Sequence, residues 1–199
     1  MSRLKLEKMK RPPQELADKL LAASQGFAGT GLDISIDDVA RLADVPRATL
    51  YYYFAGKDDL VAFYMNAELA RIGDVVAKEA ADGGTVQERL EAALTAVLYS
   101  LTEHPMMCVE LPTAIKQSQD FQEVMASMER VVLTPIRELL IEGHAAGELD
   151  VADPHTTSFA LMGAIHMVAM LNVVGAGAAD IEATAATLIP QLVNGLINR

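Results

Sequence analysis

Hydrophobic side chains recur along most of this chain at intervals of three and four residues, which is the spacing of amphipathic helices. Leu16, Leu20 and Ala23 follow this spacing and predict a first helix that begins at Gln14 and ends before Gly29. No stretch alternates convincingly between hydrophobic and polar residues, as a half-buried strand would. The pattern therefore predicts an all-α fold.

Two short helices are predicted next. Ser35 precedes a hydrophobic residue and Asp38 follows three residues later, a spacing typical of a capping box at a helix N-terminus. The chain then turns at Asp44, a residue type that tolerates left-handed geometry. Pro46 favours the first turn of a third helix, which we expect to end near Phe54. Two short helices joined by a tight turn are typical of a helix-turn-helix.

Longer helices are predicted in the rest of the chain, separated by glycine and proline. The fourth is expected at residues 57–81 and the fifth at residues 86–103. Pro135 lies inside a further helical pattern and predicts a kink or a division there. The last two helices are expected at residues 154–176 and 180–197, which brings the expected number to about nine.

Composition agrees with helices. Hydrophobic residues make up 51% of the chain, Trp is absent and aromatic residues are only 5%, so the core must be aliphatic and methionine-rich. The most apolar stretch, residues 159–179, is long enough to span a membrane, but His166, Asn172 and several glycines interrupt it. We interpret it as a buried helix hairpin. No apolar run follows the basic N-terminus, so no signal peptide is predicted and a cytoplasmic location is expected.

The predicted third helix has two different faces. Leu50 and Phe54 are four residues apart and can pack against the second helix. The other face presents a cation, a methyl group and two phenols, from Arg47, Ala48, Tyr51 and Tyr52. Arginine can donate two parallel hydrogen bonds to guanine or bind phosphate, and tyrosine suits sugar, methyl and phosphate contacts. The alternative that all three consecutive tyrosines are core is disfavoured, because successive side chains on a helix point about 100° apart.

Charge is unevenly distributed along the chain. The net charge is −11, but the first sixty residues contain nine basic and nine acidic side chains. The acidic excess therefore lies entirely beyond residue 60. Residues 1–12 form a basic arm that could follow a phosphate backbone, although a disordered, solvated tail explains it equally well.

Residues 20–60 closely resemble the N-terminal domain of TetR-type transcriptional regulators, through the segments SIDDVA and RATLYYYFAGKDDL. The resemblance implies a helix-turn-helix DNA-binding domain at residues 1–60 and a helical ligand-binding and dimerisation domain at residues 61–199. It also implies a homodimer that acts on a palindromic operator, usually as a repressor released by a small molecule. The implied DNA contacts are Arg47, Ala48, Thr49, Tyr51, Tyr52, Tyr53 and Lys57.

Three further features of this segment affect the expected DNA contacts. Ser35, at the start of the second helix, is a candidate phosphate contact of its own. Pro46 stands where the family usually has serine, so a hydroxyl cap is lost. Asp44 stands where glycine is usual and adds a negative charge near DNA. Together with the zero net charge of this domain, the two departures predict modest non-specific affinity and a shallow salt dependence.

Dimerisation and ligand binding are expected in the remaining two thirds of the chain. Small residues in the helices at 154–176 and 180–197 allow close helix approach, and the family pairs these helices with those of a partner subunit. An intramolecular hairpin is the alternative. Methionine-rich helix faces suggest an adaptable apolar pocket for a small effector, with gap-filling core as the alternative. The candidate ligand contacts are Phe63, Met106, Met107, Phe121, Met125, Met128, Phe159, Met162, His166 and Met170.

No cofactor, metal site or catalytic site is predicted. His104 and Cys108 are four residues apart, but no third ligand is placed by sequence. The chain lacks a phosphate-binding glycine loop, a nucleophile elbow and a His-Glu-x-x-His pattern, so an enzyme is disfavoured. A ligand-independent DNA-binding regulator or an activator remains the alternative to a ligand-released repressor.

Overall fold

The computed structural model describes residues 11–24, 35–104, 119–176 and 180–196. These residues form nine α-helices and no β-strand, which confirms the all-α prediction. The helices are α1 (Gln14–Ser24), α2 (Ile36–Leu42), α3 (Arg47–Tyr53), α4 (Lys57–Ala81), α5 (Val86–Glu103), α6 (Gln119–Met128), α7 (Thr134–Ala146), α8 (Pro154–Val173) and α9 (Ile181–Asn194).

Helix ends follow the side chains that satisfy their free backbone groups. Ser35 and Asp38 form a reciprocal capping box at the start of α2, as Thr85 and Glu88 do at the start of α5. Gly147 ends α7 in the left-handed conformation, with a φ of 73°, which glycine adopts without the strain that a Cβ brings. These ends lie within a few residues of the predicted positions.

A π-helical turn, Glu129–Leu133, joins α6 to α7 and divides the helical stretch just before Pro135. Proline has no N–H to donate, so the regular hydrogen-bond series cannot continue through it. Just before it, the carbonyl of Glu129 accepts from both the N–H and the hydroxyl of Thr134, the latter at 2.9 Å. The division expected from Pro135 is therefore present, in the form of a wider turn.

The chain divides into two compact units, residues 1–64 and 65–199. In the first unit, α2 contacts both α1 and α3, and Leu20, Val39, Leu50 and Phe54 form a core with almost no solvent exposure. The hydroxyl of Tyr64 also donates to the carbonyl of Leu20 there, and burial raises the pKa of Tyr64.

The second unit is built around α5. Helices α7, α8 and α9 all contact α5, whose buried face carries Leu90, Leu94 and Leu98. Gly73 of α4 lies so close to the π-helical turn that an added Cβ would come within 2.6 Å of the Cβ of Val131. This close approach leaves room for no side chain at position 73.

Helix α8 corrects one expectation. Residues 159–179 were expected to form a buried hairpin, yet only 22% of the most apolar window of α8 is buried. One stripe, formed by Ser158, Leu161, Ile165 and Ala169, packs inward. Large apolar side chains remain exposed elsewhere on the helix. By length and composition alone α8 could cross a membrane. A helix whose apolar face packs against another protein chain is equally long and apolar.

Candidate nucleic-acid interface

The turn between α2 and α3 fixes the orientation of α3, a helix of seven residues. Asp44 adopts a positive φ of 51°, as its place in the turn predicts, and the N–H of Val45 donates to the carbonyl of Ala40 at 2.9 Å. Pro46 provides the N-cap position of α3 without any side-chain hydrogen bond. Phe54 ends the helix and is buried with Leu50. One side of α3 is therefore anchored in the core.

The opposite side of α3 faces solvent. Tyr51 and Tyr52 expose 56% and 59% of their surfaces, high values for such large aromatic residues. Arg47 and Ala48 are exposed as well, whereas Thr49 is half-buried. The residues predicted to share one face are thus brought together on an accessible surface.

Tyr53 is half-buried and supports its neighbour. Its ring meets that of Tyr52 edge to face, with centroids 5.0 Å apart and planes at 89°. Lys57 is exposed at the first residue of α4, a 25-residue helix. The N-terminus of α4 is further held by Asp59, whose carboxylate accepts from the N–H of Ala55 at 2.6 Å.

Ser35 is already engaged in the capping box. Its hydroxyl accepts from the N–H of Asp38 at 3.1 Å and donates to the carboxylate of Asp38 at 2.6 Å. The Ser35 hydroxyl and the Arg41 guanidinium hold the pKa of Asp38 below its usual range. A phosphate contact through this hydroxyl would have to compete with these two hydrogen bonds.

Sequence reasoning missed the aspartates beside the two arginines of this motif. Asp37 Oδ2 lies 3.0 Å from Arg47 Nη1, and Asp38 Oδ1 lies 2.5 Å from Arg41 Nη2. The second pair follows from its i, i+3 spacing. The first pair joins two different helices, so residue spacing does not predict it. The opposite charges of Asp37 and Arg47 on either side of the turn were the one feature of the sequence that could have suggested it.

The candidate ligand contacts are distributed over both units. Phe63 belongs to the first unit, where its ring meets those of Phe54 and Tyr64. Phe159 is exposed on α8, and the remaining described candidates of the second unit are half-buried: Met125, Met128, Met162, His166 and Met170. Nε2 of His166 is buried and has no hydrogen-bond partner among the described residues. Met106, Met107 and the side chain of Phe121 lie outside the described residues.

His104 takes part in a polar cluster. Its Nδ1 lies 3.4 Å from Oε1 of Glu68, and the other carboxylate oxygen of Glu68 accepts from Nε of Arg71 at 3.0 Å. This cluster connects α4 to the end of α5. Cys108 lies outside the described residues, and within the described ones no three metal-binding side chains come together.

Comparisons with known proteins match both units. The family described as bacterial regulatory proteins, tetR family, matches residues 20–62, and the tetracyclin repressor-like C-terminal domain matches residues 83–170. The uncharacterized HTH-type transcriptional regulator YhgD of Bacillus subtilis is 26% identical over 145 residues, covering 72% of this chain and 76% of that protein. These matches are to transcriptional regulators.

Solved structures agree in fold. The fatty acid degradation regulator FadR from Bacillus halodurans superposes with a TM-score of 0.76 at 20% identity, covering 90% of this chain and 98% of that one. FadR from Bacillus subtilis, solved in complex with stearoyl-CoA, gives a TM-score of 0.74 at 19% identity and the same coverage. At such identities the likeness concerns the fold.

Proposed function

Because this chain belongs to the TetR family of transcriptional regulators and has their DNA-binding helix-turn-helix, we propose that it is a homodimeric repressor of a palindromic operator, released by a small, largely apolar ligand. The observation that carries the proposal is the two-sided helix α3. Leu50 and Phe54 fix it to the core, while Arg47, Tyr51 and Tyr52 stay accessible. That arrangement presents the donors and apolar edges that a major groove can accept.

Each proposed DNA contact has its own chemistry. Arg47 donates to a base edge, and Ala48 allows close approach to a thymine methyl group. The tyrosine hydroxyls and Lys57 contact sugar and phosphate, which fixes the position of α3 in the groove. Thr49 and Tyr53, both half-buried, contribute at the edges of this surface.

The proposed dimer uses α8 and α9. Met167, Leu171 and Val174 expose apolar surface on the side of α8 opposite its buried stripe. Such a row is costly to leave in water and is typical of an interface. A second copy would cover it and would place two recognition helices about 34 Å apart, one helical turn of DNA.

The proposed ligand is an acyl chain or a molecule carrying one. The half-buried methionines of α6 and α8 can adapt to a flexible apolar ligand. Nε2 of His166, which is buried and bonds to none of the residues that the structure describes, would provide a polar anchor beside them. The stearoyl-CoA named for the Bacillus subtilis structure makes long acyl thioesters the first compounds to test. A ligand-independent regulator or an activator is the alternative, and an effector-insensitive operator complex would favour it.

Selection of binding sites from random duplex DNA tests the operator proposal. The purified full chain should enrich a palindrome, and Arg47→Ala combined with Tyr52→Ala should lose it. Ile141→Ala controls for truncation of an exposed side chain, because Ile141 is half-exposed in the second unit. Equal binding by the double variant would contradict the assignment of α3 as the recognition helix.

Sedimentation and operator titration test the dimer and the ligand. Met167→Glu should give monomers and weaken operator binding, whereas Ile141→Glu should stay dimeric. Stearoyl-CoA should dissociate the wild-type complex, and free coenzyme A should not. A dimeric Met167→Glu variant would contradict the proposed interface, and an operator complex insensitive to the acyl thioester would contradict the ligand class.

A further inference from the structure

Asp37 and Arg47 form an ion pair across the helix-turn-helix. Asp37 lies in the first turn of α2, and Arg47 is the first residue of α3. Oδ2 of Asp37 is 3.0 Å from Nη1 of Arg47, with 40% and 68% of the two side chains exposed. An anion therefore stands directly beside the cation that is expected to touch DNA.

We propose that Asp37 is a positioning residue that directs Arg47 to a guanine and keeps it from the phosphate backbone; this rests on the operator binding proposed above. The guanidinium group is a planar fork with donors on two edges. The pair uses Nη1, and 68% of the Arg47 side chain is exposed, so the edge formed by Nε and Nη2 is left for a second acceptor. O6 and N7 of guanine accept two parallel hydrogen bonds from such an edge.

Charge favours the base over the phosphate. An Arg47 that moved to a phosphate would leave the Asp37 carboxylate unpaired beside the DNA backbone, and like charges at an interface repel. A guanine carries no net charge, so the ion pair can persist while Arg47 reads it. The neighbouring Asp38 cannot replace Asp37, because Ser35 and Arg41 already engage its carboxylate.

Folding depends little on this pair. Ion pairs between exposed side chains contribute little to stability, and Asp37 takes no part in the capping box of α2. Asp37→Asn keeps the shape of the side chain and removes its charge. Its effect on DNA binding can therefore be measured on a folded protein, as its thermal unfolding should verify.

The test measures binding of the full chain to its selected operator, to operators with each guanine replaced in turn, and to non-operator DNA. Asp37→Asn should lose discrimination on the order of tenfold at one guanine. It should also bind non-operator DNA more tightly, with a logarithmic salt slope steeper by about 0.9, the value for one more phosphate contact. Asp37→Glu should retain most of the discrimination.

Asp74→Asn is the charge-matched control, since it removes an exposed carboxylate from the second unit. It should leave both the discrimination and the salt slope unchanged. Arg47→Ala should lose preference at the same guanine. Adding Asp37→Asn to it should leave that preference unchanged and only relieve the repulsion between the unpaired carboxylate and the DNA backbone. Unchanged discrimination in Asp37→Asn would overturn the inference and leave operator binding intact. Failure of the wild type to select any site would overturn the proposed function as well.

Discussion

The hydroxyl of Tyr64 donates a hydrogen bond to the backbone carbonyl of Leu20 at 2.9 Å and so ties α4 to α1 within the first unit. Only 3% of Tyr64 is exposed, and its ring also meets that of Phe63 edge to face. The bond joins helices that are far apart in sequence. It therefore helps to fix the position of α1, against which α2 packs.

Tyr64→Phe tests this bond. The substitution keeps the ring and removes the donor, so the free energy of unfolding should fall by about 1 kcal/mol, the net contribution of a typical intramolecular hydrogen bond. Chemical denaturation followed by helical circular dichroism measures the loss. An unchanged unfolding free energy would mean that the Leu20 carbonyl finds an equivalent partner.

Burial of the Tyr64 hydroxyl also predicts that stability depends on alkaline pH. Burial raises the pKa of Tyr64 above its ordinary value of about 10, so the unfolded chain loses this proton first. The stabilisation is fully present below pH 10 and declines as the pH rises toward the folded-state pKa, by at most about 1.4 kcal/mol per pH unit. The unfolding free energy of the wild type should therefore approach that of Tyr64→Phe above pH 10. Parallel pH profiles would contradict the assignment.

Truncating two adjacent residues of α3 should affect two different properties, stability for Leu50 and operator binding for Tyr51. Leu50 is fully buried, so Leu50→Ala should lower the unfolding free energy by about 2–5 kcal/mol. Tyr51 is mostly exposed, so Tyr51→Ala should change stability by no more than about 0.5 kcal/mol. It should nevertheless weaken operator binding by about fivefold or more, as truncation of a tyrosine that anchors an interface does. Thermal unfolding and fluorescence anisotropy separate the two effects, and comparable destabilisation by both variants would disprove the two-sided description of α3.

Features that depend on neighbours in the chain were predictable from the sequence. The capping box of Ser35 and Asp38 and the left-handed Asp44 depend on residues one to three positions apart. The opposite exposure of Leu50 and Tyr51 follows from helical periodicity. Local chemistry is sufficient for these features, because backbone geometry alone relates the residues concerned.

Features that depend on how helices cross were not predictable. The pairing of Asp37 with Arg47 requires the angle between α2 and α3. The uncovered side of α8 was missed because a hydrophobic pattern records apolar residues but not what covers them. The close contact of Gly73 with Val131 joins α4 to a π-helical turn whose geometry a sequence does not specify.

The contact between Gly73 and Val131 predicts that Gly73→Ala destabilises the second unit. The added Cβ would lie 2.6 Å from Cβ and 3.0 Å from Cγ2 of Val131, so the backbones must separate. Overpacking of this kind costs about 1–3 kcal/mol. Alanine returns at most about 1 kcal/mol of helix propensity, so a net loss of unfolding free energy is expected in chemical denaturation. Gly56→Ala is the control, because its Cβ meets no atom within 4 Å. Adding Val131→Ala should recover part of the loss by removing Cγ2, and a Gly73→Ala variant as stable as the control would show that the two helices can separate freely.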